Sequence, residues 1–415
     1  MKDALQDFVK YLKYFLRDVL CGLIVGALGG LVGAAFCWAV GWATGFRAAH
    51  SWIIWLLPAA GLLIVRLYSF KGLHPTDTNG VLVSVRSPSG IPASTAPLIF
   101  VSTVITHLFG GSAGREGAAL QLGGVLGWHT SKLLKQDEKE RHIMVMTGMS
   151  AVFSALFGSP VTAAIFAMEV TSVGILHFSA AVPCLVSSLT AALVAKLLGV
   201  SPELFPVAPV DISLKILGSA LLIAVLCAVV SIIYCVSLSQ FRKLSKKLLP
   251  NPYLRIAAAG LTIALLTEIL GTTDYNGAGM DVVSRAVGGS ARPEAFILKL
   301  LFTVITMSCG YKGGEIVPAM FIGATLGCTV GNLLGLPAGI GAAVGLIAMF
   351  CGSLNCPISG VFLGLELFGG GNLLLYAVSA AAGYMMSENY GLYSEQKIVY
   401  SKLRPEFIDS YTKQD

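Results

Sequence analysis

Charge is scarce in this sequence. Only 12% of its 415 residues are Asp, Glu, Lys or Arg, whereas a soluble domain carries roughly 25%. With 55% apolar residues and a mean hydropathy of +0.78, the chain is at odds with a soluble domain and points to lipid as its solvent. Histidine is scarce as well: there are six, far apart. The nine cysteines are scattered, with no CxxC pair and no His and Cys cluster at zinc spacing. They read as small apolar packing residues, and neither a metal nor another cofactor is expected. No HExxH, GxSxG or carboxylate-rich metal motif occurs. The convergent nucleophile, base or metal set of an enzyme is therefore missing, and the chain is read as a non-enzyme. The net charge of +6 lies mostly in clusters beside apolar runs, so it does not imply a nucleic-acid partner.

What the sequence does have is long apolar runs, at residues 19–40, 52–65, 214–236 and 373–386. Two of them, 19–40 and 214–236, reach the ~20 residues that cross a bilayer core. Others, such as 340–350, are too short to span, and short apolar pieces between glycines imply broken helices buried in protein or lining a cavity. The expected fold class is an all-α polytopic membrane protein. Lys10, Lys13 and Arg17 precede the first span, and Arg242, Lys243, Lys246, Lys247 and Arg255 form a second basic cluster. The positive-inside rule places both on the cytoplasmic side of a cell membrane. Residues 1–20 lack the uncharged core and cleavage site of a signal peptide and read as a retained interfacial amphipathic helix.

The chain also resembles itself. Thr103, Val104, Ile105 and Thr106 recur as Thr303, Val304, Ile305 and Thr306. At the same offset of 200 residues, Gly110, Gly114, Gly123 and Gly127 recur as Gly310, Gly314, Gly323 and Gly327. After a shift of three, Gly148, Phe153, Pro160 and Glu169 pair with Gly345, Phe350, Pro357 and Glu366. Two related transmembrane halves follow, 1–210 and 211–415, with the proline-rich stretch 202–209 between them. Duplicated halves with interrupted helices are a transporter signature, and the substrate site is expected where the halves meet.

Three segments place glycine or proline beside polar residues at helix starts. The first is Gly110-Gly111-Ser112-Ala113-Gly114-Arg115-Glu116-Gly117, ahead of an apolar helix. A helix beginning inside the membrane offers free N–H groups and a positive dipole end to an anion, and Glu116 supplies a competing negative charge. A plain Arg115–Glu116 ion pair is the structural alternative, although ionisable groups inside a membrane are costly and usually functional. The second segment is its counterpart, Gly310-Tyr311-Lys312-Gly313-Gly314-Glu315-Ile316-Val317-Pro318. The third is Ser89-Gly90-Ile91-Pro92, where a hydroxyl donor precedes a proline in a first helical turn. A proline followed nine residues later by glutamate occurs in each half, at Pro160/Glu169 and Pro357/Glu366. Both glutamates are read as structural, at helix ends.

Taken in order, these motifs resemble those of the CLC chloride channel and transporter family over nearly the whole chain. Gly114-Arg115-Glu116-Gly117 is similar to its GREG motif, whose Glu is the external gate. Ser89-Gly90-Ile91-Pro92 is similar to GSGIP, whose Ser hydroxyl coordinates the central anion. Residues 313–318 stand in the place of GGIFAP, whose backbone amides bind the anion. Leu392-Tyr393-Ser394 resembles the segment whose Tyr hydroxyl completes the site. The resemblance implies an inverted two-half fold of about 18 helices, with one integrated membrane domain. It implies a homodimer in the cell membrane, with one anion route per subunit. It implies an anion site drawn from Ser89, Gly90, Ile91, Gly114, Arg115 and Gly117 in the first half. Glu315, Ile316 and Tyr393 complete that site from the second half, with Glu116 as the gating and proton-transfer residue.

This sequence departs from the family pattern at several points. Pro88 replaces the glycine before Ser89, and Glu315 and Ile316 replace the Ile and Phe of GGIFAP. An acid there is peculiar for an anion site unless its side chain points away while its amide serves. Val170 stands where proton-coupled chloride exchangers carry an internal Glu, with Glu169 just before it. The sequence ends soon after Tyr393, so the large regulatory domains of eukaryotic members are not expected. The GSAGREG and GGE-hydrophobic-x-P forms resemble the fluoride-exporting branch, which also lacks the internal Glu yet couples fluoride to protons. The resemblance thus implies fluoride ahead of chloride, exchanged for protons. A passive chloride channel is the alternative, and a proton-coupled organic-solute transporter is a more distant one.

Overall fold

The computed structural model describes residues 2–70, 72–87 and 90–414, so Ser89 lies outside the described residues. The first half contains α1 (Lys2–Ala49), α2 (Leu57–Tyr68), α3 (Thr78–Ser84), α4 (Thr95–Leu108), α5 (Glu116–Leu133), α6 (Glu138–Phe157), α7 (Pro160–Glu169) and α8 (Ala181–Leu197). The second contains α9 (Leu214–Leu248), α10 (Pro252–Leu270), α11 (Met280–Val287), α12 (Ala295–Cys309), α13 (Ile316–Leu333), α14 (Ile340–Leu354), α15 (Pro357–Phe368) and α16 (Leu373–Met386). Sixteen α-helices therefore stand among the described residues where about 18 were expected. The difference lies in short pieces wound as 3₁₀ turns, at Ser51–Leu56, Phe178–Ala180 and Gly370–Asn372, and in the unbroken first helix. That helix is 48 residues long, about 72 Å at ~1.5 Å per residue. The separate interfacial helix expected over residues 1–20 is not formed. No glycine or proline interrupts residues 16–21, so the exposed N-terminal turns continue directly into the span.

Six helices of the described residues are long and apolar enough to cross a membrane; α4, α7, α12, α14 and α15 are apolar but shorter. Strands are few but present. β1 (Ser172–Val173) pairs in parallel with β2 (Lys397–Tyr400), which pairs antiparallel with β3 (Phe407–Tyr411). This small sheet ties the C-terminal segment to the end of α7.

The repeat in sequence is a repeat in structure. α6 ends on Gly158 and α14 ends on Asn355, both left-handed at φ +70° and +59°. This is the C-cap geometry that glycine and asparagine tolerate best. Pro160 and Pro357 then occupy the first turns of α7 and α15, where the lost N–H costs nothing. In the first half α5 crosses α6 at Gly123 and Gly148, and in the second α13 crosses α14 at Gly323 and Gly345. A Cβ on any of the four would strike a backbone carbonyl of its partner helix. Close packing of small residues is how helices associate when the surroundings are as apolar as their side chains.

The two halves also cap one another. Glu169, at the C-terminus of α7, accepts hydrogen bonds from the N–H groups of Ile358 (3.1 Å) and Ser359 (2.9 Å) at the N-terminus of α15. Glu366, near the C-terminus of α15, accepts from the N–H groups of Val161 and Thr162 of α7, both at 2.9 Å. The equivalent helices are therefore antiparallel, as an inverted repeat requires, and both glutamates serve as helix caps. Glu169→Gln keeps one acceptor oxygen but turns an amide donor toward a backbone donor. The expected loss is about 1.5–3 kcal/mol, the range for a hydrogen bond to a charged group. It would be read as a lower melting temperature in detergent with anion flux per folded molecule retained; an unchanged melting temperature counts against the cap.

Residues 200–213 form an extended connector between α8 and α9. It is held to the far half by Phe205 N–H to the Leu367 carbonyl (2.8 Å) and Val207 N–H to the Phe368 carbonyl (3.0 Å).

Candidate functional site

The loops entering α5 and α13 meet head to head. Gly114 N–H donates to the Gly314 carbonyl (2.8 Å), and Gly314 N–H donates to the Gly114 carbonyl (2.7 Å). Each loop can approach so closely only because both residues are glycine. A Cβ on Gly314 would lie 2.7 Å from the Gly117 nitrogen, 2.9 Å from the Glu116 nitrogen and 3.1 Å from Glu116 Oε2.

This junction separates two cavities. The first, about 450 Å³, is lined by Arg47, His107, Arg115, Glu116, Glu203, Asn276, Asp281 and Val317 among others. The second, about 340 Å³, is lined by Asp77, Thr78, Asn79, Gly117, Gln121, Lys312, Gly313, Gly314, Glu315 and Tyr393, with Arg242, Lys246 and Arg255 toward its basic end. Residues one or two apart face opposite cavities: Glu116 the first and Gly117 the second, Val317 the first and Glu315 the second. The junction is thus a septum, and the starts of α5 and α13 line both cavities.

Glu116 sits on that septum, fully buried. Its Oε2 accepts a hydrogen bond from Val317 N–H (3.4 Å), in the first turn of α13. Its Oε1 has no hydrogen-bond partner among the described residues. A carboxylate therefore occupies the place that helix N-termini prepare for an anion. The alternative Arg115–Glu116 ion pair is not formed. Arg115 turns away to Glu203 Oε1 (3.0 Å) and the Leu156 carbonyl (3.2 Å).

In the second cavity the Glu315 side chain does not leave the site. Its Oε1 meets Arg242 Nη2 at 3.3 Å, while its carbonyl accepts from the Tyr234 hydroxyl at 3.0 Å. The acid is thus paired with an arginine of α9. Ile316 is fully buried at the start of α13. Tyr393 is buried, and its hydroxyl has no partner among the described residues. Its backbone is pinned by the Thr412 hydroxyl, which donates to the Tyr393 carbonyl at 2.6 Å. Arg242, Lys246, Arg255 and Lys312 outnumber Asp77 and Glu315 on this lining, so the cavity favours anions.

The third expected helix start is not brought here. α4 begins at Thr95, and Gly90 and Ile91 line neither cavity. Gly90 faces Trp128, and the Ile91 carbonyl bonds His129 at 3.0 Å. Both partners lie twelve or more residues along α5 from Glu116, roughly 18 Å at ~1.5 Å per residue. The N-terminus that does enter the second cavity is that of α3. Asp77 caps it through Gly80 N–H (2.9 Å), Thr78 donates to the Gly117 carbonyl (3.4 Å), and Gln121 donates to Thr78 Oγ1 (3.0 Å). Asp77-Thr78-Asn79 was readable as a helix start before an apolar run, but no spacing rule links it to residues 393 or 117. Val170, which directly follows Glu169, is fully buried, and its carbonyl accepts from Gln396 Nε2 at 2.9 Å.

Spanning helices, inverted halves and a septum of facing helix starts define a multi-pass membrane transporter of small anions rather than an enzyme. Residues 66–388 match the family model described as voltage-gated chloride channel, and the chain belongs to that family, the CLC family. It is 32% identical over 367 residues to a chloride/fluoride channel protein of Pseudomonas syringae pv. tomato, covering 86% of this chain and 81% of that one. Its fold is similar to the crystal structure of a CLC-type fluoride/proton antiporter, with TM-score 0.88, 30% identity and coverage of 92% and 98% of the two chains. A slow cyanobacterial Cl⁻/H⁺ antiporter shares the fold at TM-score 0.77 and 17% identity, over 89% of this chain and 94% of that one.

Proposed function

We propose that this protein exchanges fluoride for protons across the cell membrane, with Glu116 as the gate and the proton carrier. The observation that carries the reading is the position of the Glu116 carboxylate on the septum, bonded to the N-terminus of α13. Ionised, it acts as a tethered anion at the site. Protonated, it loses its attraction to the positive helix ends, and a free anion takes its place. The basic cluster of α9 lies at the second cavity, so by the positive-inside rule that cavity opens to the cytoplasm and the first opens outward. Fluoride is favoured over chloride by the GSAGREG and GGE forms of the two loops. It is favoured also by similarity to relatives described as a chloride/fluoride channel protein and a fluoride/proton antiporter. Gly114, Gly117, Glu315 and Ile316 would supply backbone to the route, with Arg115 held at its outer side. We extend the proposal to a homodimer with one route per subunit, which cross-linking in native membranes tests.

The deciding measurement is flux through proteoliposomes carrying fluoride, chloride or an amino acid, followed with anion electrodes and a pH probe. A fluoride gradient is expected to drive protons uphill. Fluoride movement without protons makes the protein a channel, preference for chloride reassigns the anion, and amino-acid flux overturns the anion reading.

Tyr393 tests the inner part of the route. Its buried hydroxyl, without a partner among the described residues, belongs to a residue lining the second cavity, and a hydrogen bond to an ion contributes about 1.5–3 kcal/mol. Tyr393→Phe is expected to weaken fluoride affinity roughly tenfold or more in calorimetric titration. Unchanged affinity and selectivity would remove the tyrosine from the site.

A further inference from the structure

His107 lies near the C-terminus of α4, 1% exposed, and lines the first cavity together with Glu116. Its Nδ1 is 2.8 Å from the Thr103 carbonyl oxygen. A carbonyl only accepts, so Nδ1 carries the hydrogen, and in the neutral ring Nε2 is left as an acceptor with a free lone pair. Nε2 is buried with no hydrogen-bond partner among the described residues. An unsatisfied buried acceptor calls for an explanation. The neighbouring cations do not satisfy it: Arg47 donates to the His107 carbonyl, Arg115 is paired with Glu203, and Lys299 donates to the carbonyls of Tyr275 and Gly277. The acids on the same cavity are Glu116, Glu203 and Asp281. Of these, Glu203 is committed to Arg115 and Asp281 is exposed beside Arg285. An anion in the cavity would be repelled by a lone pair. The group that fits Nε2 is a hydrogen-bond donor, and of the acids on this cavity Glu116 is the one with a buried oxygen that also lacks a partner among the described residues.

The internal repeat supports a role for both residues in one half only. At the offset of 200, Thr103 and Thr106 have the identical partners Thr303 and Thr306, whereas His107 stands opposite Met307 and Glu116 opposite Ile316. The symmetric fold keeps the threonines and changes this pair together.

We infer that His107 Nε2 is the acceptor that holds the Glu116 carboxyl in its protonated, outward position, setting the open state of the gate. This rests on the proton-exchange reading of Glu116. No covalent bond forms; the carboxyl O–H exchanges its site on the septum for a hydrogen bond to the imidazole. His107 is thus a positioning residue for the gate.

The test uses two variants of the full chain in proteoliposomes. His107→Met copies the other half, where methionine is accommodated at the equivalent place, and leaves no strong acceptor. His107→Gln keeps an acceptor oxygen. The ratio of protons to fluoride moved is expected to fall about tenfold or more in His107→Met, the loss of one hydrogen bond to the carboxyl. Fluoride flux should stay within about threefold, and His107→Gln should hold a ratio near wild type. A wild-type ratio in His107→Met overturns the inference, as does His107→Gln behaving like His107→Met while both still carry fluoride. A readout independent of flux is the C=O stretch of protonated Glu116 in infrared difference spectra, the band that Glu116→Gln removes. It is expected to move to higher frequency in His107→Met; an unmoved band overturns the latch. If the wild type moves no protons, the exchange reading and the latch fail together. If it does and only the His107 variants are silent, the latch alone fails.

Discussion

Glu116→Gln is expected to abolish proton movement driven by an anion gradient, lowering it by on the order of a hundredfold or more, as befits the loss of an essential proton-transfer group. The substitution keeps the shape of the side chain and its hydrogen bond to Val317 N–H, and removes two properties at once. The amide bears no charge, so it no longer competes with the anion at the helix ends. It also cannot carry a proton from the first cavity to the septum. What remains is passive anion flux, or none where the neutral side chain plugs the route. The check is a pH probe and a fluoride electrode run on the same vesicles. Wild-type proton pumping by the variant would take the coupling role from Glu116, and Glu169 would be the next acid to test despite its capping bonds. No other acid on the septum is available, because Glu315 is committed to Arg242 and Val170 cannot relay a proton.

Gly148→Leu is expected to prevent the chain from folding. A Cβ there would overlap the Gly123 carbonyl oxygen and lie 2.8 Å from the Gly127 nitrogen. Both are backbone atoms of α5, so no side chain can move aside. Overpacking a core costs about 1–3 kcal/mol when neighbours can yield, and more when they cannot. The damage is also directional, since α5 carries Glu116 at its N-terminus and any separation of α5 from α6 shifts that carboxylate. The measurement is the yield of monodisperse protein after detergent extraction. Gly218→Leu is the control, because nothing lies within 4 Å of a Cβ there and that variant should behave as wild type. Recovery of Gly148→Leu at wild-type yield and melting temperature would show that the crossing can open.

Much of the fold could be read from the sequence for a physical reason: lipid leaves few options. Runs of ~20 apolar residues become spans because every backbone group must be satisfied internally. The glycines repeated at offset 200 mark helix crossings and the septum. Glu116 and Ile316 stood out because glycine, proline and a charged residue at a helix start have few other uses in a membrane, whereas Tyr393 was reached through the family resemblance alone. The segment at Gly90 and Ile91 misled because a proline in a first turn predicts a helix start without saying where that start points. The structure aims α3 into the cavity instead. Arg242 was visible as one of a basic cluster, yet its pairing with Glu315 spans 73 residues. His107 could have been singled out by the broken symmetry at Met307. The first helix was divided wrongly because amphipathic character says which face is polar, and nothing about whether the axis bends.

The exchange of carboxylates between α7 and α15 bears on how such a chain arose. In two identical chains related by a twofold axis, this would be one isologous contact made twice. Each copy would lend its acid to the other's helix and receive the same in return. Joining the copies end to end through an extended connector turns that contact between subunits into a contact within one chain, and leaves it unaltered in geometry. Once fused, the copies no longer have to mutate in step. They are free to differ, as they do here with glutamate and histidine in one half opposite isoleucine and methionine in the other, and a conduit that would otherwise be the same from both ends has a front and a back.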